Sequence, residues 1–312
     1  MLECSKVSDV EVLIASYRKD PVEIIRKIHV QSDFVFANQL GENQKEEIIA
    51  EIHEKVHIVS YDFVAYKEKI SEARQTECFT DAHTCHGIIV ETATRGVGKN
   101  RNITLQHATG KYLLFADDDN VLAEGYSALI QQAFETHPEA DLIAFNADIR
   151  GSRVGTKDIK HYHRLHGYNS KRYGAFQIAI RKSTWDKNPV FFNEYFGGGC
   201  LYGMGEDVIF IKDCLTKGYH MAAVPVCIVT VNQERSTWFR GYKEKFFYDE
   251  GALVSVLFPR IYRLMFYYYA WKFGRRSKLL RRSIMRLMKE GAKGYKTLLT
   301  YDTYEKIREM RK

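Results

Sequence analysis

The chain has 312 residues, of which 45% are hydrophobic and 27% are charged. This composition is typical of a globular protein with enough apolar material for one large or two modest domains. No internal repeat or low-complexity linker interrupts it. The first ten residues lack the apolar core of a signal peptide, no apolar run could span a membrane, and the six cysteines form no paired framework. We therefore expect a cytoplasmic protein with reduced thiols.

The net charge of +7 is unevenly distributed along the chain. Residues 260–312 contain 16 lysines and arginines against 4 acidic residues, a local charge of +12. The rest of the chain therefore carries −5. The basic character belongs to the C-terminal segment, and the remainder is mildly acidic.

Strands and helices are predicted to alternate from residue 10 to residue 150. Short apolar runs predict strands, and apolar residues at helical spacing predict helices. The predicted strands are 10–16, 33–39, 56–61, 87–92, 112–116 and 141–147, and the predicted helices are 20–30, 42–55, 100–108 and 124–137. This order indicates a doubly wound, mainly parallel α/β sheet with helices on both faces.

After residue 150 the alternation becomes less regular. Residues 173–182 and 221–231 are predicted as strands, and residues 205–218 as a helix with acidic residues in its first turn. Residues 60–86 show no clear pattern and are interpreted as an irregular insertion loop.

Three consecutive aspartates follow the predicted strand 112–116. Asp117, Asp118 and Asp119 would lie outside the carboxyl end of that strand, which is where ligands bind in sheets of this kind. Carboxylates this close repel one another unless a cation compensates them. A solvated acidic turn is the simpler alternative, but the position favours Mg²⁺ or Mn²⁺, which take oxygen ligands. Asp117 and Asp119 would share a face of an extended segment.

Two further groups of charged residues are candidates for the same site. One group is basic and lies at or just before the start of the predicted helix 100–108: Arg95, Lys99 and Arg101. These side chains are either solvated surface residues or ligands of a phosphate, and Arg101 is the strongest candidate for a phosphate ligand. Glu206 and Asp207 follow a glycine-rich run, either as helix caps or as a carboxylate base.

The segment "TRGVGKNRNITLQHATGKYLLFADDDNVL" resembles the central part of family 2 glycosyltransferases, which have the GT-A fold. "VLIASYRKD" is similar to their first nucleotide-binding strand, and "NEYFGGGCLYGMGEDVIF" to their acceptor segment. "VNQERSTWFRGYKEKFF" resembles the closing segment of bacterial surface-polysaccharide members. The resemblance covers about residues 10–260 with the motifs in family order.

The resemblance implies an inverting transfer of a hexosyl or N-acetylhexosaminyl group from a nucleotide sugar, usually UDP-linked. The acceptor would be a growing capsule or O-antigen type polysaccharide, carried on lipid at the inner face of the membrane. Mn²⁺ or Mg²⁺ would be the cofactor, held by Asp119 and Asp117. Asp207 would be the catalytic base, and Glu206 would help to bind the acceptor or the donor sugar. The implied donor-binding residues are Ala15, Ser16, Tyr17, Asn38, Gln39, Arg95, Lys99, Arg101, Asp117 and Asp118.

The implied acceptor-binding residues are Gly198, Gly199 and Trp238; simple core packing is the alternative role for Trp238. Many family members have an acidic residue at the end of the second strand. Here Asn38 and Gln39 stand there, so neutral amides would contact the base.

The C-terminal segment has three interpretations. Leu280, Ile284 and Leu287 form an apolar stripe on a basic helix, which indicates docking on an anionic membrane surface. A helix packed on the catalytic domain is the simpler alternative, and nucleic-acid binding is the third. We divide the chain into a GT-A domain at 1–258 (nucleotide half about 1–120, acceptor half about 121–258) and a basic helical extension at 259–312.

Other functions fit the sequence less well. A sugar-nucleotide pyrophosphorylase would carry a glycine-rich loop after the first strand, where "IASYRKDP" has no glycine. A non-catalytic glycan- or lipid-binding protein would not need both acidic motifs. Cys78, His83, Cys85 and His86 match no usual zinc spacing, and "GVGKN" lacks the full phosphate-loop pattern.

Overall fold

The computed structural model describes residues 8–41, 72–79, 84–151, 158–232 and 241–310, and for residues 72–79 it describes the backbone alone. The predicted helix 42–55, the predicted strand 56–61 and Trp238 lie outside the described residues. Of the rejected zinc candidates, His83 and the side chain of Cys78 also lie outside them. Cys85 is buried beside the carbonyl of Val30.

The described residues contain a ten-stranded mixed sheet. Its spatial order is β3-β4-β2-β1-β5-β9-β7-β10-β6, with β8 paired to β10. The strands are Val10–Tyr17 (β1), Asp33–Gln39 (β2), Glu72–Phe79 (β3), Thr84–Thr92 (β4), Tyr112–Asp117 (β5), Asn120–Leu122 (β6), Leu142–Arg150 (β7), His163–Arg164 (β8), Ile178–Arg181 (β9) and Met221–Asn232 (β10).

Most of the helices lie where the sequence predicts them, but Lys182–Lys187 and Glu244–Leu257 were not predicted as helices. They are Pro21–Lys27 (α1), Val97–His107 (α2), Tyr126–Thr136 (α3), Lys182–Lys187 (α4), Glu206–Thr216 (α5), Glu244–Leu257 (α6), Tyr262–Gly274 (α7), Arg281–Thr297 (α8) and Tyr301–Met310 (α9). Among the described residues, no helix combines the length and the apolar character needed to cross a membrane.

The parallel strands β4, β2, β1 and β5 end at one edge of the sheet. Tyr17 pairs with Gln39, Gln39 pairs with Thr92, and Ala15 pairs with Asp117. The ends of β1 and β2 and the aspartates therefore meet at the carboxyl edge, as the alternation predicted. β9 runs antiparallel between β5 and β7 and separates this parallel group from the β7–β10 pair.

One prediction about the sheet was wrong. Residues 72–79, assigned to an irregular insertion, form an edge strand that pairs antiparallel with β4 over its whole length. Their alternation of polar and apolar residues is weak, which is common at a sheet edge. Strand β4 also begins earlier than predicted, at Thr84.

Alternating residues of the central strands divide the core in two. Val12 and Phe34 belong to the cluster on one face of the sheet, and Leu13 and Val35 to the cluster on the other. A third cluster joins residues 196–209 to helices α6 to α9. The C-terminal helices therefore pack on the rest of the chain through a continuous apolar core, and α6 belongs to that core.

This packing changes the interpretation of the C-terminal stripe. Ile284 and Leu287 are fully buried, whereas Leu280 is exposed. The stripe on α8 faces α6, where Gly251 and Gly291 allow the two backbones to approach closely. The prediction that Leu280, Ile284 and Leu287 present one face to a membrane was wrong, because the protein core covers two of the three.

Candidate active site

A cleft of about 550 Å³ opens at the carboxyl edge of the parallel strands. Such crevices are the usual ligand sites of α/β sheets. Eight residues predicted from the sequence line it: Ala15, Ser16, Tyr17, Gln39, Arg95, Asp118, Gly198 and Gly199. The structure thus brings the end of β1, the loop before α2, the aspartates and the glycine-rich segment to one place.

A buried arginine joins the two acidic motifs beside this cleft. Nη2 of Arg101 donates to both carboxylate oxygens of Asp117, at 2.8 and 3.2 Å. Its Nη1 donates to Asp207 at 2.7 Å and to Glu206 at 3.2 Å. The Arg101 residue is only 3% exposed. One guanidinium therefore holds the end of β5 and the start of α5 together through three carboxylates.

Polar contacts on both sides of Arg101 fix the helix that carries it. Asn100 donates to the carbonyl of Ser16, so the first turn of α2 is attached to the end of β1. Asn102 bonds both the amide and the carbonyl of Phe192 and also Glu194. Each of these contacts joins segments that are distant in sequence. They leave the guanidinium between them no freedom to reach solvent.

Helix α2 begins three residues earlier than the sequence predicted. Gly96, at φ 120°, is its N-cap residue. The Gln39 side chain accepts from the amide of Gly96 and donates to its carbonyl. A side chain with a Cβ rarely adopts this backbone conformation, so glycine is needed at the turn. Gln39 is thus a structural anchor of the loop as well as a cleft residue.

The electrostatics of the cluster follow from burial and proximity. Burial alone would lower the pKa of Arg101, but Asp117, Asp207 and Glu206 outweigh it and raise that pKa above its ordinary value. Burial raises the pKa of Glu206, and the charge of Asp207 adds to this. Burial also raises the pKa of Asp207, while Arg101 opposes the shift. Arg101 is therefore a permanent cation, and the two acids are more basic than ordinary carboxylates.

The three consecutive aspartates have three different environments. Asp117 is bound by Arg101, and Asp118 accepts a 2.8 Å hydrogen bond from the hydroxyl of Ser16. Asp119 accepts a hydrogen bond from the side-chain amide of Asn120 at 3.0 Å. Desolvation by the surrounding protein, followed by the charges of Asp117 and Asp118, raises the pKa of Asp119 to about 6. Desolvation is the largest cause of this shift, and repulsion from the other two aspartates adds to it.

These environments decide which residues fit a metal. No group of three or more His, Cys, Asp and Glu side chains is arranged to hold one within the described ranges. Mg²⁺ sites commonly use only one or two carboxylates, with substrate phosphates completing the shell. Asp118, which lines the cleft, and Asp119, which follows it, fit this arrangement. A metal on Asp117, as predicted, would have to share that carboxylate with Arg101.

Arg95 lies over the ring of Tyr17 in the cleft. Its guanidinium carbon is 3.3 Å from the ring centroid. Gly199, at φ 78°, leaves space for the Arg95 side chain. A cation stacked on an aromatic ring at the end of β1 offers both a planar surface and a positive charge to an anionic aromatic ligand.

Three predicted donor residues have other roles in the structure. The amide of Asn38 is bonded to the backbone of Lys19 on both sides and does not line the cleft. Lys99 precedes the cleft residue Asn100 but does not itself line the cleft. Arg101 was predicted to bind phosphate, and that interpretation needs correction, because a buried cation already paired with three carboxylates is not available to an anion.

Three cleft residues were not predicted from the sequence: Val97, Asn100 and Gly203. Asn100 carries the clearest sign of a ligand site, because its Oδ1 is buried and has no hydrogen-bond partner among the described residues. The position of Asn100 directly before Arg101 in "GKNRN" was the sequence feature that could have identified it as a site residue. The amide of Gly203 donates to Asp249 of α6, a contact 46 residues distant that no local pattern indicates.

Residues 73–195 match the sequence model described as Glycosyl transferase family 2. Over this segment the chain is similar to family 2 glycosyltransferases. The segment covers about two fifths of the chain and includes β4, α2, Arg101 and all three aspartates. It ends before the Glu206–Asp207 pair. No curated protein sequence matches the chain at a comparable level.

The solved structures that resemble this chain include several of TarS from S. aureus. The TarS 1–349 complex with UDP-GlcNAc has a TM-score of 0.50 and 13% identity, over 91% of this chain and 71% of that one. The complex with UDP has a TM-score of 0.49 and 12% identity, over 92% and 71%. This chain covers only 42% of a longer TarS structure. At this identity the likeness concerns the fold, and the GT-A type of fold is confirmed.

Proposed function

We propose that the protein is a metal-dependent, inverting glycosyltransferase. It would move a sugar, hexosyl or N-acetylhexosaminyl, from a nucleotide sugar to a hydroxyl of a growing, lipid-linked surface polysaccharide. The observation that carries this proposal is the ion-pair cluster in which Arg101 joins Asp117 to Glu206 and Asp207 beside the cleft. The cluster holds two carboxylates of raised pKa, and its Arg101 and Asp117 directly follow and precede Asn100 and Asp118, which line a space of nucleotide size.

The cleft offers a nucleotide a stacking surface, a positive charge and a hydrogen-bond acceptor. The ring of Tyr17 provides a stacking surface for a base once Arg95 moves towards the diphosphate. The unpaired Oδ1 of Asn100 can accept from a ribose hydroxyl. TarS, which has a similar fold, is solved with UDP-GlcNAc, and this supports UDP as the first nucleotide to test.

Asp118 and Asp119 are the residues that would hold Mn²⁺ or Mg²⁺. When bound, the metal would act as a Lewis acid that stabilises charge on the departing diphosphate. The protein's own contribution is to keep Asp117 neutralised by Arg101, so that the negative charge available to a cation lies on the other two aspartates.

Asp207 is the proposed base. The acceptor oxygen forms a bond to the anomeric carbon while the bond from that carbon to the diphosphate oxygen breaks. The nucleoside diphosphate leaves with the electron pair, and the hydroxyl proton passes to the Asp207 carboxylate. A raised pKa suits this task, because a base is most effective when its pKa approaches the working pH. Gly198, beside which a Cβ would meet no atom within 4 Å, leaves room for the acceptor.

The first test is calorimetric titration of the purified protein with UDP, with Mn²⁺ and then with excess chelator. We expect binding that requires Mn²⁺ and is lost in Asp119→Asn. Asp186→Asn is the matched control, because it follows β9 at the opposite edge of the sheet and is exposed. Absence of UDP binding under both conditions would contradict the choice of donor, and GDP, CMP and dTDP would then be titrated.

The second measurement separates catalysis from binding. In Asp207→Asn we expect UDP affinity close to wild type and release of UDP from the productive UDP-sugar slowed by about 10²–10⁴. A wild-type rate would remove Asp207 as the base. Formation of UDP-sugar from UTP and a sugar phosphate would identify a pyrophosphorylase instead.

A further inference from the structure

Helix α7 has apolar side chains on two opposite sides, but the rest of the protein covers only one of these sides. Phe266 and Ala270 are buried in the third core cluster. On the other side, Leu264 is 68% exposed, Tyr267 66% and Trp271 52%. A helix that is apolar all round is normally buried on all sides. The outer side of α7 therefore lacks the cover that its composition calls for.

The exposed side chains form one continuous stripe. Leu264, Tyr267, Tyr268 and Trp271 occupy positions i, i+3, i+4 and i+7 of the helix, which share a face. Of the eleven large apolar side chains exposed in the described ranges, six lie between residues 261 and 280. Contiguous patches of this kind mark interaction sites more often than isolated exposed residues do.

This apolar stripe is surrounded by cations and by no anion of its own segment. From Arg260 to Lys289 the chain has ten lysines and arginines and no acidic residue, and all ten are exposed. A groove of about 470 Å³ between α7 and α8 has Tyr267 and Trp271 on one side and Arg281, Arg282, Arg286 and Lys289 on the other. Arg275 also lies 5.5 Å from the ring of Trp271.

We propose that the outer side of α7 and the first half of α8 form a docking surface for an anionic lipid membrane. In this arrangement Leu264, Tyr267 and Trp271 would enter the boundary between headgroups and acyl chains. The arginines of the groove would contact lipid phosphates, since long basic side chains can keep their charge in the headgroup layer while their stems cover apolar surface.

The chemistry of the surface favours lipid over the other occupants. In a symmetric dimer the same cations would face each other, and their repulsion would oppose association. Nucleic acid would satisfy the cations, but it offers no partner to the aliphatic side chains of Ile261, Leu264 and Leu280. A membrane satisfies both, because its phosphates and acyl chains lie within a few ångströms of one another.

This surface differs from the one that helical periodicity predicts. The apolar stripe of α8 is buried against α6, so the membrane-facing apolar residues belong to α7. The inference stands without the proposed transferase activity. It deepens that function by naming the surface that would bring the enzyme to a lipid-linked acceptor.

The test is sedimentation of the full chain with vesicles, in the absence of nucleotide. We expect binding to vesicles of phosphatidylcholine mixed with phosphatidylglycerol and little binding to phosphatidylcholine alone. Neutralising Arg281, Arg282 and Arg286 together by substitution with Gln should weaken binding about 100-fold, since each cation near an anionic surface contributes about 1 kcal/mol. Gln at Arg150, Lys160 and Lys187 removes equal charge from other exposed positions and should leave binding unchanged.

Insertion is distinguished from simple adsorption by tryptophan emission. Trp271 is half exposed and Trp185 is buried, so a shift of emission to shorter wavelength on anionic vesicles, absent in Trp271→Phe, indicates burial of Trp271 in the membrane. Equal binding by the two triple variants would overturn the proposal. So would binding to duplex DNA but not to vesicles, or a dimer that Leu264→Ser dissociates. UDP titration of the Arg281/Arg282/Arg286 variant checks the transferase site separately.

Discussion

The sheet edge and the C-terminal helices hold opposite charges and compensate them in different ways. At the sheet edge, Asp117, Glu206 and Asp207 share one arginine that the fold itself buries between them. Between Arg260 and Lys289, ten cations lie at the surface with no acidic residue in their own segment. Buried charges must find partners inside the protein, whereas exposed ones are solvated and free to bind an external partner.

The comparison also indicates which part of each region is available for function. Arg101 binds the carboxylate of Asp117, whereas the carboxylates of Asp118 and Asp119 accept from the neutral side chains of Ser16 and Asn120. In the C-terminal helices, the apolar residues of α8 pack into the core, so the apolar side chains that remain exposed belong mainly to α7. In both regions some residues are already bound within the protein, and the residues beside them remain available to a ligand.

The two regions are not independent. Asp249 of α6 accepts from the amide of Gly203 in the cleft and from Lys245. Tyr202, which precedes that glycine, and Tyr248 both donate to the carbonyl of Leu299. The glycine-rich segment that contains Gly203 is therefore attached to the C-terminal helices, and a change in their packing is expected to reach the cleft.

Removing the internal cation should have the largest effect. Arg101→Met leaves three partly buried carboxylates without their shared partner, and we expect a loss of about 3–5 kcal/mol in the free energy of unfolding. The loss should be greater at pH 8 than at pH 5, because the released carboxylates can take up protons at the lower pH. Urea unfolding at both pH values measures it.

Arg150→Met is the control for that substitution. Arg150 also pairs with an aspartate, Asp148 at 2.9 Å, but its side chain is 69% exposed. Exposed pairs of this kind contribute about 0–1 kcal/mol. If the two variants unfolded at the same urea concentration, the ion-pair cluster would not be the element that joins the two acidic motifs.

Separating helix α8 from helix α6 should have the next largest effect. A Cβ on Gly291 would overlap the carbonyl oxygen of Tyr248, so Gly291→Ala must push α8 away from α6. We expect a loss of about 1–3 kcal/mol and, through Asp249 and Gly203, a weaker affinity for UDP. Gly274→Ala is the matched control, because its nearest new contact is an ordinary 3.4 Å from Ile284. Unchanged UDP affinity in a destabilised Gly291→Ala would show that the regions are energetically separate.

The sequence predicts those parts of the fold that depend on local patterns. The alternation of apolar runs predicted the parallel strands. The position of Asp117–Asp119 after β5 predicted the edge of the sheet at which the cleft opens. Glu206 and Asp207 were correctly placed in the first turn of a helix. Each of these features is encoded within a short window, where periodicity and the preference of acids for helix N-termini act directly.

The sequence does not predict which distant residues share a contact. The partners of Arg101 lie 16, 105 and 106 residues away, and a cluster of basic residues beside a ligand site looks the same whether it faces phosphate or carboxylate. In the same way, the periodicity of Ile284 and Leu287 identified an apolar face correctly but could not show that α6 covers it. Edge strand β3 was missed because its polar and apolar residues alternate only weakly.

One buried acid in the C-terminal region tests the rule that interior charges are compensated. Glu250 of α6 is 5% exposed, and burial, opposed by Lys272 and assisted by Asp249, raises its pKa from 4.5 to about 7. Between pH 4.5 and 7 the folded protein therefore keeps a proton that the unfolded chain has lost. Since the folded state binds more protons in this range, the free energy of unfolding contributed by Glu250 falls as the pH rises.

Glu250→Gln removes this titration and keeps the shape of the side chain. We expect the variant to match the wild type at pH 4 and to be about 1 kcal/mol more stable at pH 8, because the buried amide offsets part of the gain. Urea unfolding at the two pH values measures the difference. Glu309→Gln, an exposed glutamate on α9, should show no pH-dependent difference. A Glu250→Gln variant less stable than wild type at pH 8 would mean that Lys272 compensates this carboxylate as fully as Arg101 compensates Asp117, and that the C-terminal helices follow the same rule as the sheet edge.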